Sequence, residues 1–340
     1  MPWKVLFKKL LLAFPLLLVL AACGLKPTTM GYQHRIFMVV DSLLWKDLGP
    51  QVKEGFERTI YTPHEEKTFY VIPISLAQLE NRKMRMNVFF MGVADQKDSV
   101  TRYIEKSLPD NFKQGVRSGE YFYLFQKDFY ADDQINLIMY AQTKEAFRDQ
   151  FQKTIDRIYK AFEKKYYSRL KKGMLKKGRQ IKIEEYLSRN FGWKIQVQHD
   201  YFLATQDLEN KYVWLRRMKP DRWISIWEVK ADSANFNLDS LVALRNRMTS
   251  IYYEGDVVEQ EDRIFREVDF NGRSVKKLDG LWRNDSLMVG GPFRLYALYD
   301  PLEALYYMID IAVMAPGKLK KPYLDQLEVL AHTFEVTAER

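Results

Sequence analysis

The sequence has very few residues of the kinds that form disulfides or bind transition metals. Its 340 residues include one cysteine, Cys23, and four histidines. The histidines, His34, His64, His199 and His332, lie far apart and none has the spacing of a metal motif such as H-E-x-x-H. A single cysteine has no partner within the chain for a disulfide. We therefore expect no metal site and no cofactor.

The motifs of several common enzyme classes are also missing. The sequence contains no G-x-S-x-G elbow, no P-loop and no G-x-G-x-x-G fingerprint. Carboxylates are plentiful in residues 254–262, and a hydrolase can work with two of them. Nothing in the pattern selects a pair, and an acidic loop explains the stretch as well. The sequence therefore assigns no catalytic residues.

A long apolar run occurs near the start of the chain, from Leu10 to Ala22. It follows Lys4, Lys8 and Lys9, which is the order of the charged and apolar regions of a secretory signal peptide. A helix of this length spans about 20 Å, less than the ~30 Å hydrocarbon core of a bilayer. We therefore expect residues 1–22 to be a signal peptide rather than a transmembrane anchor.

The only cysteine directly follows this run, in the sequence Leu20-Ala21-Ala22-Cys23. The tetrapeptide resembles a bacterial lipobox, in which the cysteine thiol receives a diacylglycerol and becomes the first residue after cleavage. Two or more acyl chains, such as palmitate, attached to one residue hold a protein stably on a membrane. The resemblance implies a lipoprotein anchored through Cys23 and facing the periplasm. Gly24 is not an acidic retention signal, which favours the outer membrane over the inner one.

Positive charge is concentrated in one stretch. The formal net charge is +9, and residues 164–182 contain nine lysines and arginines with no acid. Such a patch can contact lipid phosphates or another anionic envelope polymer. A solvated helix end followed by a linker explains it as well. Nucleic acid is not an expected partner in the periplasm.

The hydrophobic pattern predicts a tether at residues 23–33 and a first unit at 34–170. Its predicted strands include "RIFMVV", "KTFYVIPI" and "MNVFFMGV", and the last two are apolar on both faces and therefore expected to be central. Helices are predicted to start after the capping residues Asp41 or Ser42 and Asp98. "EYFYLFQKDF" and "QINLIMYA" are two further strands, and a long helix follows them. Residues 171–180 are predicted to be a basic linker.

Residues 181–340 repeat this rhythm and form the second predicted unit. The predicted strands include "DYFLATQD", "KYVWLRRM" and "RWISIWEV", followed by the helix "LDSLVALRNRMTSIY" and a hairpin turn at Asn271-Gly272. The end of the chain has the same order as residues 119–162. We predict an α+β fold of two tandem pseudo-repeated units, each a mainly antiparallel sheet with helices on one face.

Aromatic residues alternate with polar ones along two strands of the second unit. Trp214 and Arg216 share one face of "KYVWLRRM" by the two-residue period of a strand. Aromatic side chains beside arginines can bind sugars or acidic ligands, although aromatic residues also fill cores. The candidate ligand surface consists of Trp214, Arg216, Arg217, Trp282 and Arg283.

The C-terminal part of the chain resembles a known family. "GLWRNDSLMVGGPF", then "APG" and "LDQLEVL", are similar to the C-terminal signature of an uncharacterised lipoprotein family of Bacteroidota, a domain of unknown function. "KYVWLRRM" and "LLWKDLGPQV" resemble further segments of that family. The resemblance implies an envelope lipoprotein and supplies no catalytic residues.

These observations together predict a lipid-anchored envelope protein with a binding or assembly role and no enzymatic activity. The expected partners are the membrane, through acylated Cys23, and an envelope protein or anionic envelope polymer. Two alternatives stay open. One is a hydrolase of envelope glycan or lipid, and the other is a structural subunit of an envelope complex.

Overall fold

The computed structural model describes residues 26–60, 62–230, 236–261 and 263–337. This part of the chain divides into two compact units. The first contains the described residues up to Glu57 together with Phe69–Phe162, and the second contains Arg58–Thr68 and the described residues from Glu163 onward. Cys23 and the predicted signal peptide lie outside the described residues. Within the described ranges, no helix is both long enough and apolar enough to cross a membrane.

The α-helices are α1 (Ser42–Phe56), α2 (Leu76–Leu79), α3 (Ser99–Ser107), α4 (Asp110–Arg117), α5 (Lys144–Leu175), α6 (Ile181–Phe191), α7 (Leu238–Tyr252) and α8 (Lys321–Ala331). The strands are β1 (Arg35–Val39), β2 (Thr59–Ile60), β3 (Glu66–Lys67), β4 (Tyr70–Ile74), β5 (Asn87–Val93), β6 (Tyr123–Lys127), β7 (Ile135–Ala141), β8 (Trp193–Lys194), β9 (Phe202–Asp207), β10 (Tyr212–Arg217), β11 (Asp221–Lys230), β12 (Val257–Val258), β13 (Ile264–Phe270), β14 (Arg273–Asn284), β15 (Val289–Asp300), β16 (Leu305–Met314) and β17 (Glu335–Val336). The α+β class and the tandem arrangement of two units are confirmed.

The first unit contains a five-stranded sheet in the order β4-β1-β5-β7-β6. Three of its four strand pairs are parallel, and only β6 runs antiparallel to its neighbour β7. This sheet therefore differs from the mainly antiparallel one that we expected. The reason is that helices separate β1, β4 and β5 along the chain, and a helical crossover returns the chain to the starting edge of the sheet.

Helices cover both faces of this first sheet, rather than one face as expected. On one face, Phe56 of α1 and Phe162 of α5 pack on Phe89 of β5, with ring centroids 5.7 and 5.2 Å away. On the other face, α3 packs its buried Val100 and Ile104 in the cluster that includes the strand residues Val88 and Phe90. Strands β5 and β7 are buried at every position, so both faces need a cover.

The predicted central position is confirmed for β5 and is wrong for β4. Strand β4 lies at an edge of the sheet and contains Pro73, which is exposed. Proline lacks the N–H group that an interior strand donates, so an edge is the position in a sheet where it is tolerated. The apolar run "KTFYVIPI" is therefore explained by packing of its buried residues and not by two strand neighbours.

The second unit contains an antiparallel sheet in the order β12-β14-β15-β16-β11-β10-β9, with β13 paired to β14. Its strand directions agree with the prediction. The predicted turn is also confirmed, because Asn271 and Gly272 connect β13 to β14 with φ angles of 55° and 83°. Two positive φ angles are what a two-residue hairpin turn of this type requires.

Helices again cover both faces of the second sheet. Helices α6 and α8 place Leu187 and Leu327 in a core that includes Ile309 of β16. Helix α7 places Leu241 and Met248 in a separate core on the opposite face, which is rich in aromatic residues. The two sheets also differ in strand number and direction, so the similar rhythm of the two sequence halves does not correspond to a repeated topology.

The division into units differs from the predicted boundaries at two places. Helix α5 continues through Leu175, so residues 171–175 of the predicted linker 171–180 are helical. The short hairpin of β2 and β3 belongs to the second unit, although it lies within the first unit's sequence. There the buried carboxylate of Glu66 accepts hydrogen bonds from the backbone N–H groups of Lys320 and Lys321, at 2.6 and 2.9 Å. Glu66 thereby caps the start of α8.

Candidate functional site

A pocket of about 370 Å³ lies in the first unit, where β1 and β4 end. Strand β1 lies between β4 and β5, so the crossover from β1 to β4 and the next one, from β4 to β5, run in opposite directions along the sheet. This carboxyl edge is a topological switch point, the place at which open sheets with parallel strands bind ligands. The polar residues that line the pocket are Asp41, Ser42, Ser75, Gln78 and Ser99.

The first wall of the pocket is the start of α1. Asp41 directly follows β1 and caps the helix, since its Oδ1 accepts hydrogen bonds from the backbone N–H groups of Leu43 (2.9 Å) and Leu44 (3.4 Å). Trp45 lies one turn further along and also lines the pocket. Its indole ring rests against Gly49, because a Cβ built on Gly49 would lie 2.7 Å from ring atoms Cδ2 and Cε2. Glycine at this position therefore makes room for the ring.

The second wall follows β4. Ser75 and Gln78 form a capping box around the short helix α2, in which the N–H of Ser75 donates to Gln78 Oε1 (2.9 Å) and the N–H of Gln78 donates to Ser75 Oγ (3.3 Å). This reciprocal pair fixes both polar side chains at the mouth of the pocket. Pro73, Ile74 and Leu76 add apolar surface beside them.

The third wall is the start of α3, which follows β5. Asp98 caps this helix by accepting hydrogen bonds from the N–H groups of Val100 (2.8 Å) and Thr101 (2.9 Å). Ser99 and Val100 then face the pocket, Ser99 exposed and Val100 buried. Asp98 and Asp41 thus both place a carboxylate at a helix N-terminus, where the partial positive charge of the helix stabilises it.

This pocket can bind a small polar molecule but is poorly suited to an anion. Its lining contains one carboxylate, from Asp41, and no lysine or arginine. The N–H groups at the starts of α1 and α3 already donate to Asp41 and Asp98, so they do not offer the anion site that an uncapped helix provides. The remaining surface is apolar, with Trp45 as its largest side chain.

Sequence reasoning identified the caps but not the pocket that they form. The sequence predicts Asp41 or Ser42 as the cap of one helix and Asp98 as the cap of another, and in the structure Asp41 and Asp98 are the capping residues. The signal for a site was the repeated order of strand, capping residue and helix. It could be interpreted only with parallel strands, and the predicted sheet was antiparallel.

The structure brings together only some residues of the candidate ligand surface in the second unit. Trp214 is half-buried and Trp282 is buried, and both contact Trp223 between them, with ring centroids 6.3 and 5.4 Å away. Arg216 covers Trp214, its guanidinium 5.2 Å from the ring centroid. Arg217 follows Arg216 directly in β10 and therefore points to the opposite face of the sheet.

The three arginines of that surface all form ion pairs with carboxylates. Arg216 binds Asp221, with Nε 2.8 Å from Oδ1. Arg217 binds Asp200, with Nη2 2.5 Å from Oδ2. Arg283 pairs with Asp285 and lies 3.2 Å from Glu259. Because each guanidinium already has a carboxylate partner, an acidic ligand would have to displace one. The residues stay a prediction, and the pocket of the first unit is the better-formed site.

A second polar cluster lies on the α8 face of the second sheet. The buried carboxylate of Glu328 accepts hydrogen bonds from Arg294 and Tyr296, and Lys277 Nζ lies 3.4 Å away. Burial alone would raise the pKa of Glu328, but Lys277 and Arg294 reverse this and hold the pKa below its ordinary value. The charges neutralise one another inside the unit, as a structural network does. Within the described part of the chain, no group of three or more His, Asp or Glu residues could hold a metal ion.

Two family models match the chain, one in each half. Residues 29–175 match the model described as "Domain of unknown function (DUF8532)", and residues 179–333 match "Domain of unknown function (DUF4837)". Both descriptions agree with a family whose function is unknown. The lipoprotein character and the C-terminal signature of the resemblance stay predictions. No curated protein matches the chain.

Several solved structures are distantly similar. A crystal structure from Bacteroides thetaiotaomicron VPI-5482 has 10% identity and a TM-score of 0.27 over 44% of this chain and 46% of that chain. LpqN, described as involved in cell envelope biogenesis of Mycobacterium tuberculosis, has 10% identity and a TM-score of 0.29 over 43% and 83%. The Saccharomyces cerevisiae Ran-binding protein Mog1p has 11% identity and a TM-score of 0.30 over 43% and 90%. This chain spans about half the length of the Bacteroides protein. Likenesses at this level define neither the fold nor the function.

Proposed function

We propose that this protein is a lipid-anchored, periplasm-facing protein of the cell envelope that binds a small molecule in the pocket of its first unit. The pocket is the observation that carries the proposal. Three loops from adjacent parallel strands meet there, each begins a helix, and together they enclose about 370 Å³. That volume falls within the range of about 300–1,000 Å³ that is typical of small-molecule sites.

The envelope location is supported by the sequence. Residues 1–22 have the order of a signal peptide, and Cys23 follows a lipobox-like Leu-Ala-Ala. Acylation of Cys23 would anchor the protein on a membrane, and the absence of an acidic retention signal at Gly24 favours the outer membrane over the inner one.

The basic stretch supplies a second contact with the envelope. On the described surface of the second unit, Lys164, Lys171, Lys176 and Lys177 are exposed at the end of α5 and in the turn after it. Clustered lysines attract anionic headgroups by about 1 kcal/mol each near a membrane surface. We propose that this basic surface approaches anionic lipid or another anionic envelope polymer. Replacing the four lysines with glutamate should abolish binding to vesicles of phosphatidylglycerol and phosphatidylcholine at low salt, whereas pure phosphatidylcholine vesicles should bind neither form.

Binding fits the pocket better than the hydrolase alternative does. A glycoside hydrolase of the usual kind needs two carboxylates facing the substrate. Asp41 is the only carboxylate among the lining residues, and its Oδ1 is already used to cap α1. The Asp41 side chain is therefore committed to holding the wall of the pocket.

The binding proposal can be tested by blocking the pocket. We would screen a small-molecule library by NMR against the chain from residue 23 carrying Cys23→Ala, then repeat with Ser99→Phe, which fills the pocket from the start of α3. Ser168→Phe is the matched control, because it adds the same ring at an exposed position of α5 in the second unit. Ligands that bind the parent and the control but not Ser99→Phe would support the proposal. Ligands that bind all three equally would contradict it.

Lipid attachment needs a separate test. Cells expressing the native chain or Cys23→Ala would be fed an alkyne analogue of palmitate, and the label would be detected on the purified protein. We expect label on the native chain alone, and membrane fractionation should release the variant into the soluble periplasmic fraction. An unlabelled native chain would refute the anchor without affecting the pocket.

A further inference from the structure

We propose that the pocket of the first unit binds a neutral sugar ring, an inference that rests on the ligand-binding function proposed above. The class of ligand follows from three properties of the lining: its charge, its aromatic platform and its mixture of hydrogen-bond donors and acceptors.

The charge of the lining disfavours ionised ligands. An anion would meet the carboxylate of Asp41, with no lysine or arginine in the lining to balance it. A cation would find only that one carboxylate, and its charge is already partly neutralised by the start of α1, to which it is hydrogen-bonded. A ligand without formal charge avoids both penalties.

Trp45 provides a platform for a ring with C–H groups on its face. The indole is half-buried and rests against the helix at Gly49. The face of an aromatic ring carries partial negative charge, so it attracts the polarised C–H groups of a sugar. Because contact with Gly49 holds the ring in place, stacking on it costs little conformational entropy.

The polar lining residues suit hydroxyl groups, which both donate and accept. Asp41 offers its Oδ2 atom as an acceptor, Gln78 offers its NH₂ group as a donor, and the exposed hydroxyls of Ser42 and Ser99 can do both. Gln78 Oε1 accepts from the N–H of Ser75, which orients its NH₂ group as the remaining donor. Several such groups around one apolar platform match the alternation of hydroxyls around a sugar ring.

The test uses ligands that share one ring and differ in charge. Glucose, glucuronate and glucosamine would be titrated into the chain from residue 23 carrying Cys23→Ala and labelled with 5-fluorotryptophan, together with neutral hexoses, pentoses and N-acetylhexosamines. The ¹⁹F signal of Trp45, assigned by its loss in Trp45→Phe, reports on the pocket. We expect at least one neutral sugar to shift this signal in a saturable way, and its charged counterparts to bind more weakly.

Two glycine variants distinguish loss of the Trp45 platform from a general loss of stability. Gly49→Ala pushes Trp45 off its position. Gly115→Ala is the matched control, because a Cβ on Gly115 would lie 2.2 Å from the ring of Tyr121, outside the pocket but in the same unit. Loss of one stacking contact should weaken sugar binding about tenfold in Gly49→Ala and in Trp45→Ala. Gly115→Ala should bind as the parent does.

The possible results distinguish failure of the sugar inference from failure of the proposed function. Tighter binding of glucuronate or glucosamine than of any neutral sugar would overturn the ligand class, and so would sugar binding that is equally strong in Trp45→Ala. If library compounds bind in a way that Ser99→Phe blocks, but the whole neutral panel leaves the Trp45 signal unchanged, the sugar inference fails while the proposed function stands. If nothing shifts Trp45 or depends on Ser99, both fail.

Discussion

Replacing Arg245 with methionine should make the stability of the second unit strongly dependent on pH. Arg245 of α7 and Asp310 of β16 are both fully buried, with Nε 2.8 Å from Oδ1 and a second contact of 3.3 Å between the outer nitrogen and Oδ2. The guanidinium carbon also lies 3.9 Å from the centroid of Phe293. Burial raises the pKa of Asp310, and Arg245 opposes that rise.

The size of the expected stability loss depends on protonation of the unpaired Asp310 carboxylate. In Arg245→Met, Asp310 is left without its counter-charge, and the native state lowers its energy by taking up a proton. An unfolded aspartate has a pKa of 3.8, so holding it protonated costs about 4.4 kcal/mol at pH 7 and about 1.6 kcal/mol at pH 5. The upper value agrees with the ~3–5 kcal/mol that broken buried ion pairs cost.

The stability of Arg245→Met should fall as pH rises. In the variant, the native state binds a proton that the unfolded state has released above pH 3.8, so the free energy of unfolding falls as pH rises. The expected slope is about 1.4 kcal/mol per pH unit between pH 5 and 7. The parent should show a weaker slope than the variant, because Arg245 opposes the rise in the pKa of Asp310 that burial causes.

Urea unfolding followed by tryptophan fluorescence would measure this effect. Trp193, Trp214, Trp223, Trp227 and Trp282 belong to the second unit, so a Trp45→Phe background makes the signal specific for that unit in the chain from residue 23. The double variant Arg245→Met/Asp310→Asn should lose the slope and be more stable at pH 7 than Arg245→Met. A single variant whose stability is independent of pH, or a double variant that is no more stable, would refute the reasoning.

Three further changes have predictable results in the same assay. Burial raises the pKa of Asp256 to about 6, so between about pH 4 and 6 the native state keeps a proton that the unfolded state releases, and the free energy of unfolding falls over that range and levels off above it. Asp256→Asn should therefore raise the free energy of unfolding by up to ~3 kcal/mol at pH 8 and not at pH 4, and a gain that is the same at both would contradict this. Glu66→Ala removes the acceptor at the start of α8 and should lower the free energy of unfolding by about 1–2 kcal/mol, whereas an unchanged urea midpoint would show that the cap is dispensable. Gly291→Ala would place a Cβ 1.9 Å from the carbonyl oxygen of Val313, so β15 must move away from β16 and about 1–3 kcal/mol should be lost; a fully stable variant would mean that the strands are not that close.

Local features of this fold could be predicted from the sequence because they depend on neighbouring residues. The helix predicted at "LDSLVALRNRMTSIY" is α7, Leu238–Tyr252, and Asp41 and Asp98 cap the helices that follow them. The turn at Asn271-Gly272 was predictable for the same reason. Capping and turn geometry need only a few consecutive side chains, so the sequence carries the whole signal.

Strand direction could not be predicted in the same way. A strand that is apolar on both faces has the same pattern in either direction. A helix was predicted between β1 and β4 but not between β4 and β5, where α2 is only four residues long. Gly290 and Gly291 show a related difficulty. A glycine pair is typical of a turn, but both residues lie inside β15, where Gly291 allows close approach to β16. Which backbone passes nearby is a property of the tertiary structure.

The contrast between the two sheets explains why the candidate site lies in the first unit. Parallel strands end side by side with a helix starting after each, so loops distant in sequence converge at one edge and leave a cleft between capped helix starts. Antiparallel strands are joined mostly by hairpins, and the charged groups of the second unit are used on one another, as in Arg245 with Asp310 and Arg294 with Glu328. Side chains that already satisfy one another gain little from a ligand, because each contact formed must replace one broken. The indole of Trp45, by contrast, lines an open pocket. A variant that empties or fills that pocket should therefore change binding at a small cost in stability, whereas variants in the second unit's networks should mainly change stability.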